Sequence, residues 1–213
     1  MTARLAGTVV DGHAAALAGL RCDRVDDDGR QTVLPVRRWH GVAEPVMRRL
    51  IDRCAGPVLD VGCGPGRLSA EVAARGLPAL GIDTSPRAVR LTRERGAAAL
   101  CRSVFDRLPG EGRWRHVLLA DGNLGIGGDP ATLLRRCAGL LRRGGTVVVE
   151  VDEPGSGLWR GWSRLHHQRG EGLPFEWARV GLDALPALVT DTPLVIGVVL
   201  CDEDRWFAEL APA

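Results

Sequence analysis

The chain is 213 residues long, and all 28 of its basic side chains are arginine; lysine and tyrosine do not occur. A hydrophobic share of 45% and a charged share of 25% belong to a globular protein of one domain, or one with an elaboration, and the net charge of +2 leaves no nucleic-acid footprint in the totals. The absences exclude a P-loop lysine, a kinase ATP-positioning lysine, a Schiff-base nucleophile and tyrosine-dependent acid catalysis, although the bias itself reads as genomic, since arginine, alanine, glycine and proline share GC-rich codons.

Residues 1–36 carry the weakest pattern, and Asp26-Asp27-Asp28-Gly29 reads as a solvated turn. Ala43–Cys54 is a helix packing on a sheet. Pro57–Val61 is a short apolar strand that enters a glycine-rich turn at Gly62–Gly66, followed by a helical pattern over Leu68–Ala74. Leu77–Ile82 is a second strand. Ser85 and Pro86 then supply an N-cap and a first-turn proline for a helix through Arg95. Ala97–Cys101, His116–Ala120 and Gly145–Val151 are further buried strands, and Asp129-Pro130 opens a helix through Leu141 that Arg142-Arg143-Gly144-Gly145 closes. Asp152–Pro174 is rich in glycine, tryptophan and arginine, Phe175–Val180 is extended, and Leu182–Val189 is a short helix. Leu194–Cys201 and Arg205–Leu210 flank the charged turn Asp202–Asp204 as a closing hairpin.

Strands alternating with short helices imply an α/β fold with a mostly parallel sheet covered on both faces. The six cysteines are scattered without a CxxC pair or zinc spacing and read as core residues of a reducing compartment. No metal site is expected. No stretch approaches membrane-spanning length and no signal-type apolar region follows Arg4, so a cytoplasmic location is expected.

Asp60-Val-Gly-Cys-Gly-Pro-Gly66 lies between a strand and a helix, where glycines let backbone amides approach a ligand and the helix N-terminus favours a negative group. Asp83 ends the second strand, where an acid accepts hydrogen bonds from ribose hydroxyls. Together these point to a nucleoside-containing cofactor. The dinucleotide fingerprint GxGxxG fits poorly, because the third glycine comes one residue early and Pro65 reshapes the turn. Asp60 would repel a pyrophosphate but suits a ligand with an ammonium group.

Val58–Arg67 resembles motif I of the class I S-adenosylmethionine (SAM)-dependent methyltransferases, and Gly81-Ile-Asp83 resembles their ribose-binding strand end. Leu118–Asn123 is similar to their fourth-strand motif and Leu140–Val149 to their helix-turn-fifth-strand motif, so the resemblance covers roughly residues 40–155. It implies a doubly wound, seven-stranded, mostly parallel sheet with an antiparallel C-terminal hairpin and helices on both faces. It implies an N-terminal cap on the substrate side (1–42), then a Rossmann-like SAM-binding domain (43–213) with a lid-like insertion at about 152–180. Carried over by residue, Gly62, Cys63, Gly64 and Gly66 line the methionine and ribose part of SAM, with Asp60 near its amino end and Asp83 on the ribose. Thr84 and Ser85 border the adenine, and Asp121, Gly122 and Asn123 face the methionine portion and the substrate entrance. Relatives often carry an acid after the third strand that contacts the adenine amino group; here Ser103, followed by Val104, takes that place and can still accept a hydrogen bond.

Methyl transfer asks for alignment, exclusion of water and at times a general base. His40, His166 and His167 are the candidate bases, while His116, at the far end of its strand, is structural and His13 lies in unpatterned sequence. Trp39, Trp159 and Trp162 are candidates to wall a substrate pocket, with Trp177 as a further one. Arg37, Arg38, Arg160, Arg164 and Arg169 are candidates to clamp an acidic substrate, against the simpler reading of solvated surface. The expected activity is SAM-dependent methylation of a small molecule, oxygen ahead of nitrogen as acceptor, with no nucleic-acid or membrane partner. A nicotinamide-dependent oxidoreductase is the rival, although the Tyr-Lys pair of short-chain dehydrogenases is impossible here. A SAM-binding partner subunit or cyclase without methyl transfer is the third reading.

Overall fold

A computed structural model describes residues 12–168 and 170–213. Its main sheet contains β3 (Val58–Val61), β4 (Ala79–Asp83), β5 (Ala98–Cys101), β6 (Trp114–Leu119), β7 (Leu141–Val151), β11 (Leu194–Asp202) and β12 (Arg205–Pro212), in the order β11-β12-β7-β6-β3-β4-β5. The first five of these run parallel to one another. β12 runs antiparallel to β7, and β11 antiparallel to β12. This is the seven-stranded sheet with a closing hairpin that the sequence implies.

Side chains alternate between the faces of a strand, so each central strand feeds two cores. Leu59, Val61, Val117, Leu119, Val147 and Val149 pack under α6 (Pro130–Leu140) and α7 (Leu185–Val189). Val58, Leu118 and Val148 pack with Phe207 under α3 (Pro45–Asp52) and α4 (Arg67–Ala74). Each fully buried aliphatic side chain contributes about 1.5–3 kcal/mol relative to exposure. α5 (Pro86–Glu94) lies against β4 and β5.

Helix starts follow their caps. Ser85 accepts from the Ala88 amide at 3.5 Å, and Asp129 accepts from the Thr132 amide at 3.4 Å and its hydroxyl at 2.7 Å. The end of α6 differs from expectation. The helix stops at Leu140, and buried Leu141 is already extended and paired with Trp114. Burial of that leucine against β6 turns the chain into β7 before the glycines are reached, so Arg142 and Arg143 belong to the strand. His116 is structural: Nε2 accepts from the Ala55 amide at 3.1 Å and Nδ1 donates to Thr146 Oγ1 at 2.9 Å. Burial lowers its pKa, which favours this neutral form.

A second, antiparallel sheet joins two distant segments. β1 (Cys22–Asp26), β2 (Gln31–Val33), β8 (Leu158–His167) and β10 (Phe175–Val180) lie in the order β10-β8-β1-β2, with the short β9 (Gly170–Glu171) on β8. β1 pairs with β8 from Cys22 opposite His167 to Asp26 opposite Ser163. Asp26 corrects the expected solvated turn: it is 3% exposed and sits inside this sheet, while Asp27 and Asp28 carry the turn outside. Two short helices, α1 (Gly12–Ala16) and α2 (Val36–His40), flank the sheet in sequence. No helix among the described residues is long and apolar enough to cross a membrane.

Candidate active site

The C-terminal ends of the parallel strands open into a cavity of about 590 Å³, with the second sheet as its roof. The glycine turn after β3 forms part of the floor. Gly64 has φ +53°, and a Cβ there would point into open space, so this position leaves room for a ligand against bare backbone. Gly66 has φ +84°, and a Cβ would come 2.7 Å from the Thr92 Cα of α5. It lies off the cavity and lets α4 and α5 approach each other. Asn123, on the turn after β6, donates from Nδ2 to the carbonyls of Val61 at 2.8 Å and Gly62 at 3.0 Å, tying the two strand ends together.

Asp83 stands at the tip of β4. Its Oδ2 accepts from the Gly64 amide at 3.0 Å and Oδ1 from the Ser85 amide at 2.8 Å. These two amides fix the carboxylate at the strand tip, where it lines the cavity. Thr84, Ser85, Ser103 and Val104 line the cavity beyond it. Ser103 Oγ already accepts from the Phe105 amide at 3.2 Å and retains one proton and one lone pair.

Asp60 is 3% exposed beneath the turn. Its Oδ2 accepts from the Ser69 amide at 3.1 Å and hydroxyl at 2.7 Å, while Oδ1 has no hydrogen bond among the described residues. Burial pushes its pKa up to about 6, against the opposing effects of the Ser69 hydroxyl and the Arg67 charge. A cation at the cavity wall would restore its ionised form. Cys63 lines the cavity too, but burial pushes its thiol pKa up, away from nucleophilic chemistry.

Asp121 faces the cavity within a cluster of three arginines and three carboxylates. It takes Arg67 Nη2 at 2.5 Å, Arg38 Nη2 at 3.0 Å and Arg205 Nη2 at 3.4 Å. Glu44 pairs with Arg67 and with Arg38 at 3.4 Å, and Glu150 receives Arg205 Nε at 2.8 Å and the Asp121 amide at 2.6 Å. Arg67 is 4% exposed, so the cluster is a balanced set of partly buried charges joining α2, α4, β7, β12 and the end of β6. It holds Asp121 at φ +54°.

The roof is apolar and aromatic. Phe175 and Trp177 on β10, Leu165 on β8, Leu34, Trp39 and His13 line it, and Arg24 of β1 adds one cation. Phe175 meets Trp177 edge-on at 5.8 Å between centroids and the His13 ring at 5.0 Å. Gly125 seats β10: a Cβ there would collide with the Ala178 carbonyl and lie 2.8 Å from the Trp177 indole.

The sequence-expected residues divide accordingly. Asp60, Gly62, Cys63, Gly64, Asp83, Thr84, Ser85, Ser103, Val104, Asp121, Asn123 and Trp39 line one cavity, while Gly66 and Gly122 do not. His40, His166, His167, Trp159 and Trp162 stand outside its lining. His40 Nε2 donates to the Ala16 carbonyl at 3.1 Å. On β8, Leu165 faces the cavity, so Trp162 and His166 fall on the opposite face; Trp162 is 51% exposed and His166 lies 3.7 Å from Glu171. His167 has the parity of Leu165 but lies beyond the cavity, opposite Cys22. Trp159 packs under the Arg179 guanidinium at 4.6 Å. Among the clamp candidates, Arg38 is in the ion cluster, Arg160 and Arg164 form surface pairs with Asp129 and Glu171, Arg37 is off the cavity, and Arg169 lies outside the described residues. His13, Arg24, Arg67, Leu165 and Phe175 were not foreseen; only the period-2 alternation of 175–180 hinted at the last.

Residues 58–145 match the family model described as "Methyltransferase domain". A ubiquinone biosynthesis O-methyltransferase of Nitrosomonas europaea is 34% identical over 118 residues, which are 50% of this chain and 50% of that protein. The chain thus spans about half the length of the first curated relatives it matches. A SAM-dependent methyltransferase of Bacteroides fragilis, solved with S-adenosyl-L-homocysteine, is similar in fold, with a TM-score of 0.79 at 21% identity and coverage of 100% of this chain and 98% of that one. A 1,6-didemethyltoxoflavin-N1-methyltransferase of Burkholderia thailandensis has a TM-score of 0.60 at 18% identity, with 100% and 92% covered.

Proposed function

We propose that this chain, a class I SAM-dependent methyltransferase by fold and by the family match over 58–145, methylates a hydroxyl of a small molecule held beneath the antiparallel sheet. The observation that carries this reading is one cavity with two unlike walls: a polar floor at the parallel strand ends and an aromatic roof.

The floor suits SAM by its donor set. Asp83 presents an oriented carboxylate at the cavity wall to the ribose hydroxyls, Gly64 leaves bare backbone beside it, and the buried Asp60 gains a counter-ion from an ammonium group. When bound, SAM supplies an electrophilic methyl carbon on a sulfonium whose sulfur keeps the bonding pair as it leaves. The chain's contribution is alignment and dryness: Trp177, Phe175 and Leu165 exclude water from the roof, and a pre-aligned acceptor avoids much of the entropic cost of meeting the methyl group. Hydroxyl acceptors require loss of a proton. His13 is the histidine that lines this cavity, and it is assigned as the base in place of His40, His166 and His167.

Incubation with methyl-labelled SAM and a panel of small hydroxylated and amino compounds tests the reading. Transfer of label to a hydroxyl, with one S-adenosylhomocysteine released per methyl, is expected. Label appearing only on amino nitrogens contradicts the oxygen assignment, and no transfer to any acceptor contradicts the activity.

A further inference from the structure

The roof contains a cation without a full complement of partners. Asp26 is the carboxylate at its centre, with no side-chain exposure, and two guanidiniums share it: Arg24 Nε at 3.0 Å and Arg179 Nη1 at 3.2 Å. Ser163 Oγ donates to it at 2.6 Å. Arg179 also reaches Asp28, whereas among the described residues Arg24 has no second carboxylate in contact and Asp152 acts on it only at longer range. Among the described residues the terminal nitrogens of Arg24 make no hydrogen bond, yet its side chain is only 12% exposed and lines the cavity. Its guanidinium sits 5.6 Å from the centroid of Trp177. Desolvation favours loss of its charge, so an anion at this point would be stabilising. The roof's own carboxylate in the lining, Glu176, is exposed to solvent.

We infer that the acceptor is a planar aromatic ring bearing a carboxylate-type acid, with the acid on the terminal N–H groups of Arg24 and the ring against Trp177 and Phe175. The guanidinium fork matches an acid in a bidentate pair. Phe175 and Trp177 both line the cavity, and a planar ring stacks on aromatic faces better than a puckered one. This rests on the methyl-transfer reading, since it names the acceptor class for the same cavity.

The test is calorimetry with S-adenosylhomocysteine present at saturation, using four matched probes. 4-Hydroxybenzoate has ring and acid, phenol lacks the acid, 4-hydroxybenzylamine reverses the charge, and 4-hydroxycyclohexanecarboxylate loses planarity. 4-Hydroxybenzoate is expected to bind at least tenfold more tightly than each of the others. Arg24→Met is expected to abolish the preference for the acid and leave S-adenosylhomocysteine affinity unchanged, because Asp26 remains paired with Arg179. Arg24→Lys, which keeps the charge and loses the fork, retains part of that preference and guards against misfolding of the first variant. Equal binding of phenol, tighter binding of the amine, or an unaltered acid preference in Arg24→Met overturns the acceptor class alone. Folded wild-type protein that fails to bind S-adenosylhomocysteine overturns the methyl-transfer reading instead.

Discussion

Asp60 in the floor and Asp26 in the roof are both buried carboxylates, yet they face opposite situations. Asp60 is held by a serine and a helix amide, with its second oxygen unengaged, and burial raises its pKa to about 6. Asp26 is shared by two guanidiniums and a serine. Asp60 thus has no cation in contact among the described residues, and Arg24 in the roof has only Asp26 in contact, with Asp152 acting at longer range. A buried charge that the protein does not fully compensate is one that a ligand can complete. On the proposed reading the two halves of the cavity select different partners: an ammonium-bearing cofactor below and an acid-bearing acceptor above.

The contrast can be broken from either side. Replacing His13 with glutamine removes the proposed base while leaving the floor intact, so kcat is expected to fall roughly 10²–10⁴-fold with S-adenosylhomocysteine affinity unchanged; steady-state rates and calorimetry on one preparation read both. Asp26→Asn leaves the buried Arg24 guanidinium without a carboxylate in contact and takes one of two from Arg179, and costs the roof about 3–5 kcal/mol. Hydrogen exchange should then accelerate in β1, β8 and β10 but not in β3, β6 or β7, and equal acceleration in both sheets would deny their independence. Asp83→Ala acts below, weakening S-adenosylhomocysteine by roughly 100-fold through loss of about 3 kcal/mol of charge-assisted hydrogen bonding, with roof exchange rates unchanged.

The smallest effect is a pH dependence. The folded pKa of Asp60 lies above its ordinary value, so in the free protein this group's contribution to stability is lost as pH rises from about 4 through 6. A ligand ammonium prefers the ionised carboxylate, and its affinity moves the other way. Titrations between pH 5 and 7 should tighten with rising pH, by at most about tenfold per unit below 6, and Asp60→Asn should flatten the profile.

Most of the floor was legible because each piece is local. Ser85 caps the helix it precedes, the glycines lie beside the strand they terminate, and Asp83 ends an apolar run. The roof was not, because its pairing joins Cys22–Asp26 to Ser163–His167 across most of the chain. Without that register no parity can be assigned on β8, so Trp162 and His166 were expected at the site while Leu165, which reaches it, went unnoticed. Asp26 looked solvated in a run of three aspartates, since its partners Arg179 and Ser163 are remote in sequence. Arg67 and Arg205 were hidden likewise: their carboxylates, Glu44, Asp121 and Glu150, come from three separate places in the chain.

Calorimetric titration of S-adenosylhomocysteine into the folded protein tests the proposed SAM site in the floor most directly. Saturable one-to-one binding is expected, which NADPH neither reproduces nor blocks and which Asp83→Ala weakens roughly 100-fold. A folded protein that gives no heat with S-adenosylhomocysteine, or that binds NADPH in its place, would contradict it.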